Sequence, residues 1–219
     1  MPTLNAKSLT LNDVHRLLNL QQQSSNGSFT NLLSLEPLTE FEQQELWQIS
    51  NDFLRYLSAG KVSEGQVKFL VVAPLMRLAG FYRAPLEITL EEDIENIYIE
   101  DEDTIINGRI DILAVNSSKL ATNIPSFWVL VIEAKNSTIE VRQGLPQLLT
   151  YAFKSLEQQS SVLGMLTNGL RYEFVYLRNS TPPTYEILPD LILTDTERSI
   201  QLLQILKAIC NIQNVVSPS

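Results

Sequence analysis

The sequence is poor in the residues that redox, zinc and serine-histidine chemistry require. It contains one cysteine, Cys210, and one histidine, His15. A lone cysteine forms no internal disulfide, so a reducing compartment is expected. A lone histidine has no second imidazole beside it to build a zinc site. We therefore expect His15 to be a surface or packing residue and Cys210 to lie in the core.

Long apolar runs and phosphate-binding glycine loops are also missing. The run FWVLVI at 127–132 is far shorter than the ~18 residues that span a bilayer. The first residues lack the basic start and apolar stretch of a signal peptide. We therefore expect a soluble, cytoplasmic protein with no membrane partner. The sequence contains no G-x-x-x-x-G-K-[ST] loop, so it has no sign of an ATP-driven motor.

Basic residues are outnumbered, which limits non-specific binding to nucleic acid. The net charge is −9, and residues 91–103 hold eight carboxylates and no basic side chain. Outside that run, 16 basic residues face 17 acidic ones, so a local basic surface stays possible in principle. Nucleic-acid affinity comes largely from neutralising phosphates. The acidic run is interpreted as a solvated loop or hairpin tip, with cation or basic-partner binding as the alternative.

Two segments carry the pattern of capped helices. A Thr or Ser followed three residues later by Glu or Gln, at 39–42 and 63–66, forms a capping box. Apolar residues follow each box at helical spacing, and Gly60 and Gly80 mark the expected ends. Pro74 lies inside the second helix and is expected to kink it, because an interior proline opposes regular helix geometry.

The apolar period then changes from helical to extended. The run at 127–134 is apolar on both faces, which predicts a central strand, and Asn168-Gly169 predicts a hairpin turn. The order of elements predicts an α/β (α+β) fold with a mixed sheet. The predicted elements are a short helix near 11–20, a loop at 21–28, strands at 85–90, 104–115 and 127–134, a helix at 140–158, strands at 162–167 and 171–178, and a final helix from Thr194 or Thr196 to about 211.

Three charged residues stand where the chain is otherwise apolar. Asp111 interrupts the strand Ile-Asp-Ile-Leu-Ala-Val, and Glu133 and Lys135 end the most hydrophobic strand. Buried carboxylates are unfavourable unless they are paired or bind a cation. Glu133 and Lys135 are two residues apart and so point to one face of their strand. If the strand that contains Asp111 lies next to the strand of Glu133 and Lys135, the three charged side chains converge.

Such a pair of carboxylates favours a divalent cation. Two carboxylates ~4 Å apart repel by roughly 4 kcal/mol at an effective dielectric of 20, and a cation reverses that repulsion. Oxygen ligands suit Mg²⁺ or Mn²⁺. Lys135 would then orient the attacking water or stabilise charge on the phosphorane. The alternative is that Asp111 faces solvent and that Glu133 and Lys135 form a surface ion pair. Taken one at a time, such residues more often have these roles.

The residues around these positions resemble a known family. The runs GRIDIL at 108–113 and VIEAKN at 131–136 are similar to the D…ExK signature of PD-(D/E)XK nucleases, and in particular to the N-terminal nuclease domain of type I restriction enzyme R subunits. The resemblance covers roughly residues 60–180 and implies a restriction-endonuclease-like core, which we assign to 61–219 with its C-terminal helix. Residues 1–60 have no counterpart in the family and are assigned to an N-terminal helical extension. Three further pieces agree in order and spacing: Glu64 on a helix, Gln147 and Tyr151 in a Q-x-x-x-Y pattern, and the turn Thr167-Asn168-Gly169.

The resemblance implies a role for each matching residue near the metal. Asp111 and Glu133 would be direct ligands, with the backbone carbonyl of Ala134 as a third. Glu64 would bind a second metal or a water on it. Lys135 would serve the attacking water.

A polar wall is expected beside the metal. Gln143, Gln147 and Tyr151 are four residues apart, so on a regular helix they share one face. The resemblance implies that Gln147 positions the substrate backbone or hydrogen-bonds within the site. The alternative for this stripe is an exposed polar face.

The resulting hypothesis is a stand-alone Mg²⁺- or Mn²⁺-dependent endonuclease acting on DNA, as a homodimer or with a partner protein that supplies targeting. The restriction subunits that the chain resembles carry a translocase, for which this sequence has no loop, so ATP-dependent restriction does not carry over. Two alternatives stay open: a non-catalytic DNA-binding or protein-interaction module on the same fold, and a phosphodiesterase for RNA or small molecules.

Overall fold

The computed structural model describes residues 2–24, 33–117 and 127–215 and has the predicted mixed α/β class. Its helices are α1 (Leu11–Leu17), α2 (Glu40–Ala59), α3 (Glu64–Val67), α4 (Ala73–Ala79), α5 (Leu145–Ser155) and α6 (Thr196–Val215). Its strands are β1 (Thr3–Asn5), β2 (Gln21–Gln23), β3 (Leu86–Asp93), β4 (Ile97–Ile99), β5 (Thr104–Asn107), β6 (Arg109–Asn116), β7 (Phe127–Ala134), β8 (Ser161–Thr167), β9 (Arg171–Arg178), β10 (Thr184–Ile187) and β11 (Leu191–Ile192).

A mixed sheet forms the centre of the described chain. Eight of the described strands build it in the order β2-β10-β9-β8-β7-β6-β3, with β11 paired to β9. Strands β7 and β8 run parallel, whereas β6 and β9 run antiparallel to their neighbours β7 and β8. The predicted central position of β7 is therefore confirmed. Three short strands in the order β1-β5-β4 form a second sheet.

Two stretches differ from the sequence prediction. The single strand expected at 104–115 is two strands in two sheets, and Gly108 separates them. A Cβ on Gly108 would lie 2.6 Å from Cε1 of Tyr151, so the chain can pass there only without a side chain. Part of the loop expected at 21–28 is strand β2, which pairs with β10. Residues 25–28 of that loop lie outside the described ranges.

The two faces of the sheet pack against different helices. Ile112 and Ile132 join a core with residues of α2, α4 and α6, whereas Leu113 and Val131 join a core with residues of α1 and α5. Side chains alternate between faces along a strand. Glu133, which continues the alternation of Val131, therefore faces α5. In β6 the alternation breaks at Asp111, because Ile110 and Leu113 join the same core.

The predicted helix signals are confirmed in the long N-terminal helices. Thr39 and Ser63 each form a complete capping box, and Gly60 and Gly80 cap the ends with positive φ. Ahead of Pro74 the helix widens into a π-helical turn at Lys68–Val72. Proline lacks an N–H and its ring clashes with the carbonyl four residues earlier, a conflict that a wider turn relieves.

The N-terminal residues contribute to both sheets. Strand β1 pairs with β5 and strand β2 pairs with β10. The predicted division at residue 60 stays a prediction. Among the helices of the described ranges, none has the length and apolar composition that crossing a bilayer needs.

Candidate active site

Asp111 and Glu133 lie close together on neighbouring strands. The antiparallel register pairs Leu113 with Val131 and Ile112 with Ile132, and Asp111 and Glu133 each stand one residue beyond the last of these pairs. Both carboxylates are buried, at 3% and 1% exposure. The backbone N–H of Ala134 donates to Asp111 Oδ2 at 2.9 Å, which fixes the Asp111 carboxylate against the end of β7.

Lys135 and Gln147 complete one side of this pair. The Lys135 ammonium lies 2.5 Å from Glu133 Oε1 and donates to Gln147 Oε1 at 3.2 Å. A Cβ on Gly144 would lie 3.0 Å from Glu133 Cγ and 3.3 Å from Lys135 Cε. The turn before α5 therefore packs directly against the site, and a side chain at Gly144 would push Glu133 and Lys135 away.

Glu133 sits in an electrostatically unfavourable place. Burial and, next, the neighbouring charge of Asp111 raise its pKa to about 8 against the opposing effect of Lys135. Its Oε2 is buried and accepts no hydrogen bond from any described residue, and Gln147 Nε2 is likewise without an acceptor. A buried polar atom without a partner is unfavourable by roughly 1–3 kcal/mol, which a bound ligand would recover.

A second ammonium group lies on the other side of Asp111. Lys68 Nζ is 2.9 Å from Asp111 Oδ1, 2.9 Å from Glu91 Oε1 and 3.1 Å from Glu64 Oε1. Burial alone would lower the pKa of Lys68, but its hydrogen bonds to Glu91 and Asp111 outweigh burial and raise it. The hydrogen bond from Lys68 lowers the pKa of Glu91. Glu64 is thus linked to Asp111 through Lys68.

Lys68 and Glu91 were missed in the sequence, and only Lys68 leaves a signal there. Lys68 stands four residues after Glu64, the spacing of a helical ion pair. Glu91 lies between Leu90 and Glu92, which pair with Ile112 and Ile110, so it stands across from Asp111. That pairing is invisible until β3 is known to neighbour β6. Part of the acidic run therefore belongs to this site.

The polar wall is assembled only in part. Gln147 and Tyr151 are buried on α5, and the Tyr151 hydroxyl accepts a hydrogen bond from the Arg109 N–H at 3.3 Å. Burial raises the pKa of Tyr151 to about 12, with a smaller contribution from Glu133. Gln143 is exposed on the 3-10 helix Val141–Gly144 that precedes α5. Its role in the wall stays a prediction.

The residues present fit a small divalent cation. Mg²⁺ is typically held by one or two carboxylates and keeps several waters or phosphate oxygens. Asp111 and Glu133 supply two buried carboxylates, and Glu133 Oε2 is free to accept a cation. In the described part of the chain no cluster of three or more His, Cys, Asp or Glu side chains forms a complete metal site. A cation here would therefore rely on backbone, water or substrate oxygens as well.

Comparison with family models finds no match, and comparison with curated proteins finds none. Among solved structures, the chain is similar to a fragment described as an HsdR subunit of a type I restriction enzyme from Vibrio vulnificus YJ016. The two share 19% identity and a TM-score of 0.40 over 70% of this chain. The match spans 26% of that other chain.

Proposed function

We propose that this chain is a divalent-metal-dependent nuclease that hydrolyses phosphodiester bonds in DNA. The observation that carries the proposal is the buried Asp111–Glu133 pair with one carboxylate oxygen left unpartnered. Lys68 and Lys135 each pair with one oxygen of these buried carboxylates, which leaves Glu133 Oε2 to accept a ligand. A bound Mg²⁺ or Mn²⁺ would neutralise them and polarise a phosphate oxygen.

The chain's own residues would hold and orient the reactants. Lys135 is fixed by Glu133 and Gln147, so its remaining proton can point to a phosphate oxygen or to the attacking water. Gln147 acts by positioning Lys135. Asp111 is held in place by the Ala134 N–H. Hydrolysis forms a bond from the water oxygen to phosphorus, breaks the ester P–O bond and delivers a proton to the leaving oxygen.

A non-catalytic module on the same fold is the second candidate. The observation that favours it is the Lys68 ammonium, which already contacts Asp111 and so balances part of the buried charge. A chain that used Lys68 in place of a cation would keep the fold and lose the chemistry. For either function, an acidic chain is expected to gain substrate affinity by dimerising or from a partner protein.

The deciding experiment compares metal binding and cleavage in matched variants. Calorimetry with Mg²⁺ and Mn²⁺ is run on the wild type, on Asp111→Asn and on Asp101→Asn, whose carboxylate is exposed. DNA cleavage is followed in parallel at low salt. We expect metal binding and cleavage to disappear together in Asp111→Asn and to survive in Asp101→Asn. A wild type that binds neither metal would refute the nuclease and leave the binding module.

A further inference from the structure

An apolar cleft opens directly beside the candidate site. It has a volume of about 580 Å³ and shares Asp111, Lys68 and Glu91 with that site. Cavities of this size accommodate small organic groups. The rest of its lining is mostly apolar and includes Phe69, Met76, Phe81, Tyr82, Ile88 and Leu90.

Three large side chains at this cleft are exposed. Phe69 is 77% exposed, Leu90 is 63% exposed and Tyr82 is 53% exposed. Single exposed hydrophobic residues are common on protein surfaces, but a cluster around one concavity marks a binding site. Phe69 follows Lys68 directly in the π-helical turn, so the chain presents a charged group and an aromatic ring side by side.

We propose that this cleft binds an unpaired nucleobase of a single-stranded nucleic acid whose phosphate lies at Asp111. The inference rests on the proposed nuclease function and specifies its substrate. A strand carries phosphate and base side by side, so a phosphate held by the cation proposed at Asp111 and Glu133 would bring its base to the aromatic rim. Aromatic rings hold bases by stacking regardless of sequence. A base in a duplex is stacked and paired and must be extruded before it can enter, at an energetic cost.

The charges around the cleft favour binding of a nucleobase over binding of the phosphate backbone of a duplex. Glu64 and Glu91 flank Lys68, so this ammonium is already engaged and offers little to a row of phosphates. A net charge of −9 also disfavours tracking along a duplex. Stacking on Phe69 and Tyr82 needs no positive charge. The acidic composition therefore agrees better with recognition through a base.

The test measures binding of single and double strands to cleft variants of the full chain. A labelled oligothymidylate and the matching duplex are titrated with protein in Ca²⁺ by fluorescence anisotropy, and cleavage is assayed separately in Mg²⁺. The variants are Phe69→Ala and Tyr82→Ala. Phe41→Ala is the control, because Phe41 is 65% exposed but does not line the cleft. All three of these side chains are exposed, so thermal unfolding is enough to check that each variant is folded.

We expect the single strand to bind more tightly than the duplex. Each cleft variant should weaken single-strand binding on the order of tenfold, and Phe41→Ala should leave it unchanged. Equal binding by Phe69→Ala and wild type, or a preference for duplex, would overturn the cleft assignment. Duplex cleavage that needs Asp111 but not Phe69 would overturn it while preserving the nuclease. Failure to bind or cleave any nucleic acid would refute both.

Sedimentation of the same proteins tests whether a second copy of the chain, rather than a nucleobase, occupies the cleft. If the wild type self-associates and Phe69→Ala does not, a second copy of the chain covers the cleft and the base-binding assignment is wrong. Self-association that is the same in both proteins, with single-strand binding lost only in the cleft variants, supports the assignment.

Discussion

Lys68 Nζ lies 2.9 Å from Asp111 Oδ1, although the two residues are 43 positions apart in the sequence. The contact places the positively charged Lys68 ammonium on a carboxylate that, in the nuclease hypothesis, binds a metal ion. Glu64 and Glu91 hold the same ammonium from two other sides. A divalent cation that binds Asp111 must therefore displace Lys68 or share the carboxylate with it.

Replacing this ammonium should strengthen metal binding. In Lys68→Met the side chain keeps similar length but no longer competes for Asp111. We expect the Kd for Mn²⁺ to fall by about tenfold, which equals ~1.4 kcal/mol. Calorimetry measures the change. Lys61→Met is the control, since Lys61 is exposed and close in sequence. An unchanged or weaker Kd in Lys68→Met would mean that Lys68 does not compete with the metal.

Stability of the metal-free protein should fall as pH rises from about 4.5 to about 8. Folding raises the pKa of Glu133 from 4.5 to about 8, so the folded state binds more protons than the unfolded state across that window. The stabilisation is complete below the unfolded pKa and is lost as pH passes the folded one. Denaturant unfolding measured at several pH values checks this.

Glu133→Gln is the matched variant for that experiment. The amide cannot ionise, so its stability curve should lack the decline attributed to Glu133. If wild type and Glu133→Gln show parallel pH curves, the raised pKa of Glu133 does not contribute to stability.

Gly144→Ala should impair metal binding more than it impairs folding. The added Cβ would meet Glu133 Cγ at 3.0 Å and Lys135 Cε at 3.3 Å, so both side chains must shift. We expect a loss of metal affinity on the order of tenfold. Calorimetry and thermal unfolding are run together on this variant.

Gly164→Ala provides the contrast to Gly144→Ala. Its Cβ would lie 2.7 Å from Leu148 Cδ2 in the core, away from the carboxylates. It should lower the free energy of unfolding by about 1–3 kcal/mol through overpacking, and leave metal affinity intact wherever the protein is folded. Equal effects of the two glycine variants on metal affinity would contradict a specific role for the Gly144 contact.

Gln147→Leu should slow cleavage without reducing stability. Gln147 orients Lys135 through a 3.2 Å hydrogen bond, while its Nε2 is buried without an acceptor among the described residues. Leucine of similar size removes that unpartnered donor, so folding should not suffer. We expect kcat to fall by about 10- to 100-fold with metal affinity unchanged, because Lys135 loses its orientation. A fall in metal affinity instead would assign Gln147 to the metal rather than to Lys135.

Local signals in the sequence were enough to locate most elements. The capping boxes at Thr39 and Ser63 began helices because a side-chain oxygen meets a free N–H within three residues. The Asn168-Gly169 turn formed a hairpin because Gly169 adopts φ of 87° without strain. Asp111 and Glu133 were identifiable because charge is rare inside an apolar strand.

Long-range pairing decided what local signals could not. Strand β2 forms because Gln21–Gln23 pairs with β10. Three glutamines carry no apolar alternation, so the sequence there does not predict a strand. The chain divides at Gly108 because Tyr151, 43 residues later, occupies the space of a side chain.

The sequence by itself determined the fold class and the carboxylates at the centre of the site, since both depend on composition and spacing along one strand or helix. Only the tertiary structure brought Lys68 and Glu91 to Asp111 and opened the cleft beside it. Those contacts join the π-helical turn Lys68–Val72 to β3 and β6, and the pairing of these two strands is set by the packing of the whole sheet.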